Sequence, residues 1–358
     1  MKETIGRPLI RVAGREEIRS EMVTQPSWYL TFEPRPAARV HLYGLPFAGG
    51  GVSMFRPWTR HLPPWVELRA VRLPGRPGRH RQAPFTDCEE AARWLADALA
   101  ETRAGERAGT RVGEPAGERA GGPAAGAVPY AVFGHSMGAL LGYRLTRALL
   151  RDGTPPPSLL ALAAWPVRGA TAALTPDPAD PDDRFAATLR SLGGLPPEMA
   201  DDPEALALTL PVARADFTLC RSYAYRDEPP LPVPVTAFGG TADAVAPPGE
   251  LAEWRAHTRD FLGLRLFEGG HFFPREHLPE LAAALTADLS RVLGRPGPTL
   301  PPNPSGTSGA SGTVAGTISR APGGTAVSAG GTSGGTASET VADDAGAVTS
   351  VPFVTSNP

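Results

Sequence analysis

Short apolar runs alternate along the chain with longer stretches in which apolar residues recur every three or four positions. That alternation predicts strands interleaved with helices. Val40–Leu45 and residues 66–73 read as strands. Thr86 and Glu89 have capping-box spacing, and the helix they open places Ala91, Trp94, Leu95, Ala98 and Leu99 on one face. Residues 130–133 form a short apolar run, followed by a helix over Met137–Arg151 closed by Gly153. Residues 159–165, 233–238 and 264–267 supply further strands, with helices at about 248–258 and 276–293. The expected fold is α/β, a mostly parallel sheet flanked by helices. Between residues 166 and 232 the pattern becomes helical and Pro-punctuated, with Phe185, Leu189 and Leu192 on one face and 206–225 as a second helix. This stretch reads as a helical lid inserted into the alternation.

Composition limits how much of the chain packs. Gly and Pro number 41 each in 358 residues, roughly twice the usual share, and the excess is concentrated. Residues 295–358 are almost entirely Gly, Ser, Thr, Ala, Pro and Val, and residues 103–127 carry Ala-Gly-Glu-Arg-Ala-Gly twice. Neither segment has enough apolar surface to offset the entropy of ordering, so both are expected to be disordered. Residues 1–21 are a charged leader without the hydrophobic centre of a secretory signal. Residues 22–294 remain as one large domain.

Charge and cysteines remove several classes of function. With 35 basic and 37 acidic residues the net charge is −2, which argues against an extended nucleic-acid surface. Cys88 and Cys220 make neither a disulfide framework nor a zinc site, and no metal or cofactor is expected. No apolar run approaches a membrane span. The expected setting is the cytoplasm.

Gly134-His135-Ser136-Met137-Gly138 matches the G-x-S-x-G nucleophile elbow. Residues 331–335 match it equally well, but only the Ser136 copy follows an apolar strand and opens an amphipathic helix. A serine hydroxyl needs a base and an orienting acid, which in this fold follow it in the order acid, then base. Asp243 lies in the loop after strand 233–238, and His271 in the loop after strand 264–267. Both therefore fall at the carboxyl edge of the sheet with Ser136. His135 adjoins the serine but is expected to point away, and His61, His80, His257 and His277 fall in loops or on helix surfaces. Asp216 in the lid helix and Asp260 before its strand are the rival acids. The oxyanion hole would combine the Met137 N–H with one from the loop 46–51, through Ala48 or its neighbour Phe47. The three glycines 49–51 also fit a plain tight turn.

These motifs, with the loop Pro74-Gly75-Arg76, the segment Arg214-Ala215-Asp216, Gly239-Gly240-Thr241-Ala242-Asp243 and Gly269-Gly270-His271-Phe272-Phe273, resemble the type II thioesterases of nonribosomal peptide and polyketide synthesis. The resemblance covers residues 27–293. It implies an α/β-hydrolase fold and hydrolysis of acyl groups from the phosphopantetheine arm of an acyl or peptidyl carrier protein, in an editing role. It also implies Ser136 as nucleophile, His271 as base, Asp243 as orienter, and Ala48 and Met137 as oxyanion donors. Two departures stand out. Phe47 occupies a position that is usually His, and the chains of that family begin near Ser27, which points to Met22 as the start and residues 1–21 as a misassignment. Arg76, Arg79 and Arg81 are candidates for steering an acidic carrier, or else ordinary solvated arginines. Two other functions fit the same motifs: a small-molecule carboxylesterase or acyltransferase, and a non-catalytic protein that docks a synthase. Within the triad, Asp243→Asn reads as the mildest substitution.

Overall fold

In the computed structural model, which describes residues 28–108, 127–170, 175–195 and 202–294, the apolar runs pair into one seven-stranded sheet. The strands are β1 (Tyr29–Leu30), β2 (Val40–Leu45), β3 (Val66–Val71), β4 (Tyr130–His135), β5 (Leu159–Ala163), β6 (Leu231–Gly240) and β7 (Thr258–Phe267). The α-helices are α1 (Cys88–Arg107), α2 (Met137–Arg151), α3 (Asp182–Ser191), α4 (Pro203–Ser222), α5 (Pro248–Leu251) and α6 (Leu278–Val292). Spatial order is β1-β3-β2-β4-β5-β6-β7, with β1 antiparallel to β3 and all other neighbours parallel.

A parallel sheet is covered on both faces, so its central strands carry unbroken apolar runs. Every residue of β2, β3, β4 and β5 is buried. Alternate side chains serve opposite cores. Tyr43, Leu45, Val132 and Leu160 pack with Leu95 of α1 and Leu141 of α2. Leu42, Phe133 and Leu159 pack with Phe55, Trp58 and Leu285 of α6.

The chain leaves β2 for β3, then returns to the other side of β2 as β4. Ligands bind at such reversals, beyond the carboxyl ends of the strands. Register aligns those ends: Leu45 pairs with Gly134, His135 with Ala163 and Gly240 with Phe267. The loops after β2, β4, β6 and β7 therefore share one edge.

Helices α3 and α4 fill the insertion between β5 and β6 and enclose a separate small core of Phe185, Leu189, Leu195, Leu210 and Ala213. Arg214 of α4 holds them together, stacking 4.5 Å over the Phe185 ring and donating to Asp182 at 2.6 Å.

Local details differ from the sequence expectations for identifiable reasons. The cap of α1 is Asp87, whose carboxylate accepts from the Glu90 N–H at 2.8 Å, one residue beyond the expected Thr86. The same helix continues to Arg107, into the segment read as low-complexity, because its charges find buried partners. Arg103 donates to the Val128 carbonyl at 2.9 Å, and Glu106 accepts from Arg69 at 2.6 Å. Strand β7 begins at Thr258; its first half is only partly buried, which mutes the apolar signal. Asp260 thus lies within that strand, and His257 is buried beside Trp254 and Tyr225. A 3-10 helix over Val52–Arg60 was not expected. The leader 1–21, the central part of the 103–127 insertion and the tail 295–358 lie outside the described residues. Among the described residues, no helix is long and apolar enough to cross a membrane.

Candidate active site

Ser136 stands between β4 and α2 with φ 55° and ψ −120°, a backbone conformation that non-glycine residues rarely adopt. Its neighbours must be small for that turn to close. A Cβ on Gly134 would lie 2.1 Å from the Gly138 carbonyl oxygen, and one on Gly138 would lie 2.1 Å from that of Leu45. The glycines therefore let strand, turn and helix meet at backbone distance. The Ser136 N–H donates to the Ala163 carbonyl at 2.8 Å, and the Ser136 carbonyl accepts from Ala139 at 2.8 Å, which anchors the residue on both sides.

The loops bearing the acid and the imidazole are laced to each other. Thr241 N–H donates to the Phe267 carbonyl and Ala242 N–H to that of Gly269, both at 2.8 Å. Gly240 must lack a side chain, because a Cβ there would sit 2.3 Å from the Gly270 carbonyl oxygen. The outcome is one hydrogen-bonded chain. His271 Nε2 lies 2.9 Å from Ser136 Oγ, and His271 Nδ1 lies 2.8 Å from Asp243 Oδ2. The other carboxylate oxygen, Oδ1, accepts from the Val245 and Ala246 N–H groups at 2.9 and 3.0 Å.

Asp243 is buried. Burial alone would raise its pKa, but the hydrogen bond and charge of His271, with the N–H groups of Ala246 and Val245, hold it below the ordinary carboxylate range. It is therefore ionised at neutral pH and fixed as an acceptor for Nδ1–H. The tautomer this selects leaves Nε2 free to accept the serine proton.

His135 points away from Ser136, yet it is part of this architecture. Its Nε2 donates to the backbone carbonyl of His271 at 2.8 Å, which braces the loop that carries the imidazole. Burial, reinforced by the charge of His271, pushes the His135 pKa down to about 3, so the ring stays neutral. In the sequence, only its place in the strand register signals this role.

The rival acid Asp216 takes no part in the Asp243–His271–Ser136 chain. It accepts the Gly49 N–H at 2.7 Å and pairs with Arg76, deep beneath the loop 47–51. Burial pushes its carboxyl above the usual range, with the Arg76 charge and the Gly49 N–H opposing that rise. Within the loop, Gly50 N–H is also engaged, donating to the Phe47 carbonyl at 2.9 Å.

Contrary to the expectation of a steering cluster, two of the three arginines are buried. Arg76 is buried against Asp216, and Arg79 is buried with its guanidinium 4.5 Å over the Trp94 ring and donating to Gln82 and to the Arg72 carbonyl. Neither is open to a partner; their charge goes into holding loops together. Only Arg81 of the three is exposed.

Ser136 and His271 open into a cavity of about 250 Å³ whose apolar wall includes Trp165, Leu189, Leu192 and Phe217. Phe47 and Ala48 lie on the same wall, and Arg168 and Arg221 border it. No group of three or more His, Cys, Asp or Glu able to hold a metal occurs among the described residues.

A mostly parallel sheet with a strained serine at its reversal point and an Asp–His–Ser hydrogen-bonded chain defines the α/β-hydrolase class. Within that class the chain belongs to the thioesterase domain family, whose model matches residues 40–104 and 122–289. The gramicidin S biosynthesis protein GrsT of Aneurinibacillus migulanus is 30% identical over 266 residues, covering 74% of this chain and 95% of that one. Thioesterase PikA5 of Streptomyces venezuelae is 32% identical over 274 residues, covering 75% and 88%. Among solved structures, the RedJ thioesterase of the prodiginine pathway in Streptomyces coelicolor is 32% identical with a TM-score of 0.58, covering 77% of this chain and 96% of its own.

Proposed function

We propose that this protein is a serine thioesterase that removes acyl groups from the phosphopantetheine arm of an acyl or peptidyl carrier protein, an editing role in secondary-metabolite synthesis. The observation that carries the reading is the Asp243–His271–Ser136 chain, with contacts of 2.8 and 2.9 Å, opening into an apolar cavity. Relatives from gramicidin S and prodiginine pathways support the setting.

Ser136 Oγ attacks the thioester carbonyl as His271 Nε2 takes its proton. Asp243 keeps the imidazole in the required tautomer and stabilises the imidazolium that forms. The tetrahedral oxyanion is received by the Met137 N–H at the start of α2 and by the Ala48 N–H. Ala48 suits this role because Gly49 and Gly50 N–H groups already have acceptors. His271 then protonates the leaving thiolate of the arm, and a water attacks the acyl-enzyme by the same route. The apolar wall receives the acyl chain, and α3 with α4 forms the lid above it. Arg168 and Arg221, exposed beside the cavity and paired at the surface with Glu253 and Asp177, are the basic groups nearest an anionic arm, in place of the buried Arg76 and Arg79. The reading places the enzyme in the cytoplasm, where the unpaired Cys88 and Cys220 stay reduced.

The test compares kcat/KM for an acyl-carrier protein, the matching acyl-N-acetylcysteamine thioester and a p-nitrophenyl ester. The carrier-bound thioester should be preferred. Equal or better turnover of the free ester would favour a carboxylesterase, and failure of a fluorophosphonate probe to label Ser136 would favour a non-catalytic docking protein.

A further inference from the structure

Three segments far apart in sequence meet at one buried ion pair. Asp216 comes from α4, Arg76 from the loop after β3, and Gly49 from the loop after β2, next to Ala48. Asp216 is 1% and Arg76 5% exposed. Asp216 Oδ2 accepts from both the Gly49 N–H and Arg76 Nη2. Arg76 further donates through Nε to the Gly50 carbonyl at 3.2 Å and through Nη1 to that of Pro74 at 3.1 Å. Gly49 itself has φ +79°, and a Cβ there would lie 3.2 Å from the Cβ of Ala213, one turn before Asp216 on α4. The loop is thus gripped at the Gly49 N–H by the helix and at the Gly50 carbonyl by the arginine.

We propose that Asp216 and Arg76 are a positioning pair that fixes the Ala48 N–H in the oxyanion hole and couples its placement to helix α4. The proposal rests on the thioesterase reading above. The peptide plane joining Ala48 to Gly49 is rigid, so holding the Gly49 N–H fixes the orientation of the backbone immediately after the donor. A net gain in stability is a poor explanation for such a pair, since burying two charges costs about what their attraction returns. Geometry is a better one. Oxyanion donors act within about 2.7–3.1 Å of the developing charge, and a shift of about 1 Å costs roughly 100-fold in rate. Because α4 supplies one half of the pair, displacing that helix releases the loop. The hole is complete only while α4 stays seated over the site.

The experiment measures kcat and KM on an acyl-N-acetylcysteamine thioester, and affinity for a trifluoromethyl ketone analogue, which becomes an oxyanion adduct at Ser136. Asp216→Ala should lower kcat by about 10–100-fold with KM within about twofold, and should weaken the ketone by the same factor. The shape of the kcat–pH profile should stay that of the wild type. Asp216→Asn, which keeps an oxygen for Gly49 and Arg76, should recover most of the lost kcat. If Asp216→Ala fails to fold because Arg76 is left unpaired, the double variant Asp216→Ala/Arg76→Met removes both charges and should show the same loss in kcat. A folded variant with wild-type kcat, or a loss confined to KM or to melting temperature, would overturn the positioning role. Absence of thioester hydrolysis by the wild type in the same assay would instead overturn the functional reading.

Discussion

Replacing Asp243 by Asn changes one atom, and the structure makes the consequence calculable. Asp243 Oδ1 accepts two backbone N–H groups, from Val245 and Ala246, whereas Oδ2 faces only His271 Nδ1. An asparagine must point its single oxygen one way. Turned toward Val245 and Ala246, it presents its NH2 to Nδ1. Nδ1 then becomes an acceptor, the proton moves to Nε2, and the ring donates to Ser136 when it should accept. Turned the other way, the tautomer is correct but two buried N–H donors face an NH2, at about 1–3 kcal/mol each. The productive orientation is therefore disfavoured by about 2–6 kcal/mol, a factor of roughly 30 to 2 × 10⁴. The expected result is a kcat reduced by that factor with KM little changed. Asp243→Asn should also be no better than Asp243→Ala, which leaves His271 free to adopt either tautomer. Steady-state hydrolysis of an acyl-N-acetylcysteamine thioester, with circular dichroism to confirm folding, makes the measurement. An Asn variant within threefold of wild type, or clearly faster than the Ala variant, would refute the proposed role of the two backbone donors.

Ser136→Ala should abolish turnover and probe labelling with the melting temperature within a few degrees of wild type; appreciable residual hydrolysis would point to another nucleophile. Gly138→Ala should cost at least about 3 kcal/mol or prevent folding, since its Cβ would lie 2.1 Å from the Leu45 carbonyl oxygen; a urea titration with an unchanged midpoint would contradict the packing. His135 has a pKa depressed to about 3 in the folded state against about 6.5 unfolded. Its contribution to stability is therefore present above pH 6.5 and is lost as pH falls toward 3, at up to about 1.4 kcal/mol per pH unit. His135→Asn should flatten the fall in urea midpoint between pH 6.5 and 4, and an unchanged slope would show that other groups govern that window. Asp243 is depressed from the carboxylate range and so acts in the same direction at lower pH. Changing Arg168 and Arg221 to Ser should lower kcat/KM for an acyl-carrier protein, more at low salt than at high salt, and spare the small thioester; equal losses on both would exclude a role toward the arm.

The parts of the molecule that were legible in the sequence share a physical cause. Strands β2 and β4 are buried on both faces, so their apolar runs announce themselves without tertiary information. Helix α2 was legible because Ser136 and Gly153 bracket it. What stayed hidden depends on partners brought close only by folding. Arg76 and Asp216 lie 140 positions apart, and nothing local to either distinguishes a buried tie from a solvated charge. The end of α1 was misjudged for the same reason. A composition-based reading sees Ala, Gly and charge, whereas Glu106 serves as the counter-ion for Arg69 of β3.

The three candidate acids show how topology decides what composition leaves open. Asp260, Asp216 and Asp243 are the same side chain, each near a strand or helix of the same sheet. Asp260 is exposed near the start of β7, at the edge opposite the serine. Asp216 reaches the correct edge, but its oxygen is committed to the Gly49 N–H and to Arg76. Asp243 follows a strand whose last residue, Gly240, pairs with Phe267 four positions before His271. That register, with Gly240 bare enough for the next loop to pass at backbone distance, brings acid and imidazole within 2.8 Å. Order along the chain therefore succeeds as a guide because parallel strands end at one edge, so each strand-end loop delivers its residue to the same place. It says nothing about a residue such as Asp216, which reaches that edge from an inserted helix whose position the strand order does not fix.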